Sequence, residues 1–314
     1  MRLAITGGTG FVGSQLVRRF DEGEHEFVLL ARGEDHRNED LLDRSDVQLF
    51  EAGVGDTPSL REAFTGCEVV AHLAGINHER GEQTYQSVHV DGTENVVEAA
   101  IEANVSKLVL TSYLRARPDC GCGYHESKWE AETIVRRSGL EYTVLKPGVI
   151  YGPGDQMTRS VVRALSTAPV FPRIGFGERS IRPVAIDDVV DVLCAAIVDR
   201  RLSNSTVPIV GPEELSVSEL VKRIGETIDR RPLFVPVPVR MLLLGSRIQE
   251  AVLETPLVTT AGVRMLAEGP TAPVPASICD PLPKDLQATR SFSPERIEAA
   301  LPRKEPIGLD DIRI

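Results

Sequence analysis

Tyr124 and Lys128 stand four residues apart in Tyr124-His125-Glu126-Ser127-Lys128, a spacing that puts a phenol and an ammonium on one face of a helix. A phenol, with a reference pKa of ~10, carries protons poorly near neutrality. A neighbouring ammonium stabilises phenolate and lowers that pKa, so the pair can move a proton to or from a carbinol oxygen. Hydride transfer to or from a nicotinamide needs that proton step. Tyr–Lys pairs at this spacing also arise by chance, and this one gains meaning from its place after the fifth candidate strand.

A second constellation lies at the N-terminus, where Thr6-Gly7-Gly8-Thr9-Gly10-Phe11-Val12-Gly13 leaves the first strand and opens the first helix. Gly7 permits the tight turn, Gly10 lets the backbone approach a pyrophosphate, and Gly13 lets the helix pack closely on the sheet. The helix start then offers free N–H groups and partial positive charge to phosphates. A lone glycine pattern is weak, but here it sits in a strand–turn–helix context within repeated βαβ units.

Sites specific for NAD place an acid at the end of the second strand, about 20 residues beyond the glycines, to bind the ribose 2′-hydroxyl. Here the segment reads Phe27-Val28-Leu29-Leu30-Ala31-Arg32. Ala31 occupies the acid's place, and the guanidinium of Arg32 suits a 2′-phosphate. The expected cofactor is NADP, with NAD the alternative. Asp56 has two compatible roles, as acceptor for an adenine amino group and as cap of the helix containing Pro58-Ser59-Leu60.

The elements that must position these groups follow from apolar periodicity. Strands are predicted over Arg2–Ile5, Glu26–Ala31, Val47–Phe50, Glu68–Leu73, Lys107–Thr111 and Tyr142–Leu145. Helices are predicted over Phe11–Phe20, Ser59–Phe64, Val88–Ala103 and His125–Ser138. Strands alternating with helices imply right-handed crossovers. The expected fold is α/β, a Rossmann doubly wound parallel sheet with helices on both faces, plus a smaller mixed C-terminal lobe. Residues 1–150 form the dinucleotide-binding domain, with 184–212 returning to it; 151–183 and 213–314 form a substrate or partner lobe. Helices are also expected over Asp187–Asp199 and Val217–Ile228, with Pro232–Pro238 extended. Thr271–Pro283 is Pro-rich and reads as a surface excursion. Val239–Leu266 carries apolar residues at helical spacing, broken at Pro256, and is expected to pack into the small lobe's core.

Composition sets limits. With 314 residues, 42% hydrophobic and 26% charged, the chain is globular in type. A net charge of −11 argues against a nucleic-acid partner. No apolar run approaches the ~20 residues of a membrane span, and Met1-Arg2 runs into Leu3-Ala4-Ile5 without a secretory hydrophobic region. Five irregularly spaced cysteines suggest no disulfide framework, so a cytoplasmic location is expected. Cys120-Gly121-Cys122 with His125 supplies three local ligands and no second pair, so a loop is expected there and no metal.

These motifs together resemble the extended or atypical short-chain dehydrogenases/reductases, the superfamily of nucleotide-sugar epimerases and dehydratases. The matching residues are Thr6–Gly13, Gly55-Asp56, His72-Leu73-Ala74-Gly75, Asp91-Gly92-Thr93-Glu94-Asn95, Tyr124 with Lys128, Lys146–Gly154 and Val184–Val189. The resemblance spans most of residues 1–230. It implies cofactor contacts at Gly7, Thr9, Gly10, Phe11, Val12, Gly13, Arg32, Asp56, Leu73, Ala74, Gly75, Thr111, Tyr124, Lys128, Pro147 and Val149. It implies Tyr124 as acid/base, Lys128 as the group lowering its pKa, and Ser112 as the candidate substrate hydroxyl. Val210–Ser216 and Val235-Pro236-Val237-Pro238 are similar to an atypical branch that includes the dehydrogenase-like accessory subunit of respiratory complex I. Members of that branch bind NADP tightly, and many do not turn over a substrate.

The pattern fails at three places. Active members carry Ser or Thr just past the fifth strand, where this chain reads Thr111-Ser112-Tyr113. Aligned on the strand, Tyr113 takes the hydroxyl residue's place. Either the loop bulges so that Ser112 serves, or Tyr113 supplies its phenol, or catalysis is lost. His89 stands where Asn is common, and Lys146 where Arg is. Arg159, Arg163, Arg173, Arg179 and Arg182 could clamp an anionic substrate or stay solvated, and they name no substrate.

Three functions remain open: an NADP-linked oxidoreductase or epimerase-like enzyme on a small hydroxyl or carbonyl substrate, a silent cofactor-binding structural or redox-sensing protein, and a peripheral partner of a membrane or respiratory complex docking through Val239–Leu266.

Overall fold

The computed structural model describes residues 1–32, 39–253 and 257–302. Its main sheet contains β1 (Arg2–Thr6), β2 (Glu26–Ala31), β3 (Val47–Glu51), β4 (Val69–His72), β5 (Lys107–Thr111), β6 (Glu141–Pro147) and a seventh strand, Ser205–Ile209. They lie in the order β3-β2-β1-β4-β5-β6 with Ser205–Ile209 outside β6. Every neighbouring pair is parallel. This is the doubly wound α/β architecture expected of a Rossmann sheet. The strand order reverses between β1 and β4, which opens a crevice at their carboxyl ends.

Alternation along the strands divides the core. Ala4, Val28, Leu30, Val70, Leu108, Leu110 and Val144 join one cluster with residues of the helices Thr57–Phe64, Gly92–Glu102 and Gly123–Arg137. Leu3, Ile5, Leu29, Ala71, Val109 and Leu145, also buried, point to the other face. There the helices Phe11–Arg18 and Ile186–Ile197 pack together. With both faces covered, the strands read as continuous apolar runs.

The chain divides into two compact units. The first contains Met1–Pro147, Ile186–Ile209 and Pro273–Gln287; the second contains Gly148–Ala185, Val210–Ala272 and the chain from Ala288 onward. The second unit holds three small strand pairs: Ile150–Tyr151 with Val184–Ala185, Leu215–Ser216 with Ser180–Ile181, and Leu233–Val237 with Val170–Ile174. Its core gathers Tyr151, Val162, Leu165, Leu220, Ile224 and Phe292.

Three elements differ from the sequence reading. The strand Ser205–Ile209 contains Pro208, which cannot donate to a ladder; its edge position explains why it is tolerated. The segment read as an excursion at Thr271–Pro283 instead closes that edge. Val274 N donates to the Leu114 carbonyl at 3.1 Å, Asp280 N donates to the Thr206 carbonyl at 2.7 Å, and Thr206 N donates to Asp280 Oδ2 at 3.1 Å. The stretch expected as core, Val239–Leu266, forms the helices Val239–Val252 and Thr260–Glu268, and the first buries only Ser246. Pro256 lies outside the described residues. Among the described residues no helix is long and apolar enough to cross a membrane.

One ion pair inside the first unit is fully buried. Lys146 Nζ meets Glu132 Oε1 at 2.6 Å, both side chains being 0% exposed. Lys146 also donates to the Ala116 carbonyl at 3.1 Å, and Arg136 donates to Glu132 Oε2 at 3.0 Å. Lys146→Met is expected to destabilise the fold by about 3 kcal/mol, because breaking one side strands a buried charge. Pairing it with Glu132→Leu should recover part of that loss in urea-unfolding midpoints. Equal losses in the single and double variants would assign the effect to packing instead of charge.

Candidate functional site

The glycine turn is a close backbone contact before it is a ligand site. Gly7 has φ +70°, and its N–H donates to the Leu30 carbonyl at 2.9 Å. A Cβ on Gly13 would lie 2.5 Å from the Gly7 carbonyl oxygen and 2.8 Å from Gly8 Cα. Gly13 therefore lets the helix start press against the turn itself, where the sequence reading had it meeting the sheet. The helix Phe11–Arg18 begins after Gly10 with no side-chain cap. The N–H groups of Phe11, Val12 and Gly13 precede the first intrahelical donors, so this end is built to receive acceptors. Thr9 is buried beside them.

A buried hydrogen-bond chain ties this turn to the helix bearing Tyr124. Ala74 N donates to Thr6 Oγ1 at 3.3 Å, and Leu73 N donates to the Thr6 carbonyl at 3.1 Å. Thr6 Oγ1 lies 2.7 Å from His72 Nδ1, and His72 Nε2 lies 3.0 Å from Thr93 Oγ1. Thr93 Oγ1 donates to the His89 carbonyl at 2.5 Å. These roles assign the hydrogen of His72 to Nε2. His89 Nε2 accepts from Ile76 N at 3.1 Å, which leaves Nδ1 to donate to Ser127 Oγ at 2.9 Å. Ser127 Oγ then donates to the Tyr124 carbonyl at 3.1 Å. Burial, reinforced by the Lys128 charge, pushes His72 down to about 3 and His89 down to about 2. Both imidazoles are neutral by construction.

Tyr124 and Lys128 share the buried face of the helix Gly123–Arg137. Lys128 Nζ donates to the Thr111 carbonyl at 3.3 Å, at the carboxyl end of β5. A Cβ on Gly75 would lie 3.0 Å from that Nζ, so the Leu73-Ala74-Gly75 segment borders the ammonium. Burial lowers Lys128 to about 8, against the attraction of Glu132. Burial pushes the Tyr124 phenol well above its usual range, and the Cys122 thiol adds to the rise. The sequence reading had the ammonium lowering this pKa. Here the ammonium is directed at the Thr111 carbonyl, and desolvation dominates.

The hydroxyl question gets a specific geometry. The amide of Ser112 donates to the Leu145 carbonyl at 2.8 Å and that of Leu114 to the Pro147 carbonyl at 2.9 Å, so the segment continues β5 alongside β6. Ser112 Oγ donates to Glu132 Oε1 at 2.6 Å and belongs to the buried ionic cluster. The Tyr113 ring packs edge-on against Tyr124 at 5.6 Å and stacks on His125 at 5.1 Å. Thr111 Oγ1 is buried with no hydrogen-bond partner among the described residues. Tyr85 closes the cluster, stacked on His89 at 5.6 Å and edge-on to Tyr124 at 5.7 Å.

Arg32 follows β2 and is exposed; its Cγ and Cδ would lie 3.6 Å from a Cβ on Gly53, so the stem crosses the end of β3. Asp56 caps the helix Thr57–Phe64, accepting from Ser59 N at 3.3 Å and Ser59 Oγ at 2.8 Å. Pro147 ends β6. Val149 lies in the second unit, where its carbonyl accepts from Val184 N at 2.9 Å. Cys120 Sγ contacts the Arg117 and Cys122 carbonyls at 3.7 and 3.8 Å. Among the described residues no group of three or more His, Cys, Asp or Glu could hold a metal ion. Arg173 pairs with Glu178 at 3.5 Å.

Sequence reasoning passed over Ser127, Tyr85 and Glu132. Ser127 lies inside the Tyr–Lys turn, and Glu132 follows Lys128 by four residues, a helical spacing that marks a shared face. Nothing local in the sequence joins Glu132 to Ser112 or Lys146.

A seven-stranded parallel sheet with a glycine cradle at its switch point defines a Rossmann-type dinucleotide-binding protein. Residues 7–175 match the NAD(P)H-binding family, and the chain belongs to that family. An uncharacterised protein of Mycobacterium tuberculosis is 28% identical over 225 residues, covering 72% of this chain. The chain spans 23% of that relative's length. A ceramide reductase of Caulobacter vibrioides is 28% identical, covering 79% of this chain and 77% of its own. The mitochondrial NADH-ubiquinone oxidoreductase 40 kDa subunit of Neurospora crassa is 24% identical, covering 76% and 63%. Among solved structures, a nucleoside-diphosphate-sugar epimerase from Staphylococcus aureus superposes with TM-score 0.70 at 16% identity over 95% of this chain and 99% of its own. A UDP-glucuronic acid 4-epimerase from Bacillus cereus, in complex with NAD, gives 0.69 at 17% identity over 95% and 97%. These two share the fold.

The neutral histidines set an acid limit on stability. Their folded pKa values lie below the unfolded value of ~6.5, so the unfolded chain binds more protons between the two. Stability is complete above that pH and falls by about 1.4 kcal/mol per pH unit for each histidine as pH drops below it. Urea midpoints followed from pH 7 to pH 4 should show this slope, and His89→Asn should make it shallower. An unchanged slope in that variant would remove His89 from the account.

Proposed function

We propose that the chain is an NADP-linked reductase of a small carbonyl substrate, with Tyr124 as proton donor. The single observation that carries this reading is the buried Tyr124–Lys128 pair, with Lys128 anchored on the Thr111 carbonyl at the end of β5. The cradle fits a dinucleotide: at Gly7 and Gly13 a Cβ would fill the turn, and the helix start lacks a side-chain cap. A bound nicotinamide would supply the hydride. Tyr124, kept protonated by burial, gives its phenolic proton to the carbonyl oxygen as the carbon becomes a carbinol. Lys128, bonded to the Thr111 carbonyl and lowered by burial to about 8, is close to a proton-exchanging pKa at neutral pH. Thr111 Oγ1 offers a hydroxyl to a ligand oxygen. The same residues run backwards for alcohol oxidation or an epimerase-like step.

The preference for NADP rests on Ala31 and Arg32, where an acid for the 2′-hydroxyl is missing and a guanidinium is at hand. The name of the Caulobacter relative supports carbonyl reduction. Five free cysteines suit a reducing compartment, so we place the activity in the cytoplasm. One observation favours a second reading, cofactor retention without turnover: Ser112 is held by Glu132 and Tyr113 occupies the hydroxyl's place. The name of the Neurospora relative, a subunit of a larger oxidoreductase, is in keeping with a role inside an assembly.

Calorimetric titration of cofactor-stripped protein with NADPH and NADH tests the cofactor. NADPH should bind at least about ten-fold more tightly, a difference of ~1.4 kcal/mol, and Arg32→Ala should abolish the preference. Equal affinity for both in the wild type removes Arg32 from the site. Turnover is tested by NADPH oxidation across a panel of aldehydes and ketones. Tyr124→Phe should lower it by about a hundred-fold or more while cofactor affinity holds. A wild-type chain that binds NADPH and reduces nothing on the panel would favour the second reading.

A further inference from the structure

Eight of the nine large exposed apolar side chains among the described residues belong to one stretch of the second unit. Val170 and Phe176 lie on or just after the strand Val170–Ile174, and Leu233 and Val235 lie on its partner. Met241, Leu244, Ile248 and Val252 lie on the helix Val239–Val252. The pieces are contiguous: Gly175 N donates to the Val237 carbonyl at 2.8 Å, which brings Phe176 beside the helix start. Phe176 is 77% exposed, Met241 63% and Leu244 61%.

The helix Val239–Val252 is amphipathic in the reverse sense. Residues 241, 244, 248 and 252 share one side at helical spacing, and that side faces outward. Ser246, Gln249 and Glu250 lie on the opposite side and are committed. Ser246 donates to the Leu243 carbonyl at 3.0 Å, and Gln249 Oε1 accepts from Leu257 N at 3.1 Å. Glu250 accepts from Thr260 N at 2.8 Å and from Thr260 Oγ1 at 2.7 Å. Hydrogen bonds thus fix the helix with its apolar side out.

The charges on the outer side of this helix are arginines, while Glu250 on its inner side is bonded to Thr260 and Arg173 at the strand pair is matched by Glu178. Residues 230–249 contain Arg230, Arg231, Arg240 and Arg247 and no acid, in a chain with 46 acidic and 35 basic residues. Arg240 and Arg247 are exposed along one edge of the apolar stripe. An apolar stripe edged by arginine complements a surface that is oily within and anionic at its rim. A two-fold contact between copies would set the same arginine edges against each other, whereas an anionic surface pairs with them.

We propose that this face of the second unit, centred on Leu244 and Ile248 and edged by Arg240 and Arg247, docks peripherally on an anionic lipid bilayer. The helix lies in the interface, with its apolar side among the acyl chains and its arginines at the headgroups.

Co-sedimentation of the full chain with phosphatidylcholine vesicles, with and without about one-third phosphatidylglycerol, tests this. Binding to the anionic vesicles should be at least about ten-fold stronger than to neutral ones and should weaken with salt. Leu244→Glu with Ile248→Glu should abolish it. Arg240→Glu with Arg247→Glu should remove the anionic preference. All four positions are exposed, so thermal midpoints should stay unchanged. Failure of the wild type to bind anionic vesicles, or undiminished binding by the Leu244/Ile248 variant, overturns the proposal. Sedimentation velocity supplies the competing outcome: a wild-type dimer that the Leu244/Ile248 variant dissolves, without vesicle binding, would assign the face to a second copy and overturn it as well.

Discussion

A single buried hydrogen-bond chain organises the first unit: Thr6, His72, Thr93, His89 and Ser127, ending on the Tyr124 carbonyl. It begins at the last residue of β1, where the glycine turn leaves the sheet, and ends in the first turn of the helix that carries Tyr124 and Lys128. Each link requires a neutral imidazole in one tautomer, and burial enforces that neutrality. The cradle and the Tyr–Lys pair are therefore held by the same contacts. A shift of either would leave a buried donor or acceptor unmatched, at a cost of about 1–3 kcal/mol. The π-helical turn Gln86–Asp91 places His89 within this chain, a local departure of the kind that collects at functional sites.

Desolvation, more than pairwise charge, sets the protonation states around Tyr124. The sequence suggests an ammonium four residues on and hence a more acidic phenol. Spacing along a helix shows that two side chains share a face, but not where their terminal atoms go. Lys128 reaches the Thr111 carbonyl, while four rings (Tyr85, His89, Tyr113 and His125) pack around that of Tyr124 and bury it. A protonated phenol is suited to giving a proton to a forming alkoxide, and this is the state that the proposed reduction uses.

The parallel sheet was legible because its strands are buried on both faces and punctuated by helices with clear apolar stripes. The glycine turn was legible because Gly7 and Gly13 answer to sterics that no other residue satisfies. What escaped depends on contacts distant in sequence. Ser205–Ile209 carries a proline that argues against a strand until its edge position is known. Thr271–Pro283 has the composition of a loop, yet its backbone at Asp280 completes that same edge and its Val274 is bonded to Leu114 beyond β5. The helix Val239–Val252 shows the limit most clearly. Apolar residues at helical spacing reveal that a helix has an apolar side, and nothing in the pattern says whether that side meets a core. The polar side of this helix finds its partners at Thr260 and Leu257, which turns the apolar side out.

Lys146 and Ser112 show how a departure at one position settles another. Replacing the bulky, forked guanidinium common at this place with a slender ammonium concentrates one charge on Glu132 Oε1 at 2.6 Å. That same oxygen accepts from Ser112 at 2.6 Å. A hydroxyl donating to a buried carboxylate is in a strong, charge-assisted bond and has no second proton to offer a substrate. Ser112 thereby becomes part of the buried cluster of Lys146 and Glu132, while the Thr111 hydroxyl has no partner among the described residues. Tyr113, at the next position, turns its ring onto Tyr124 and His125 instead.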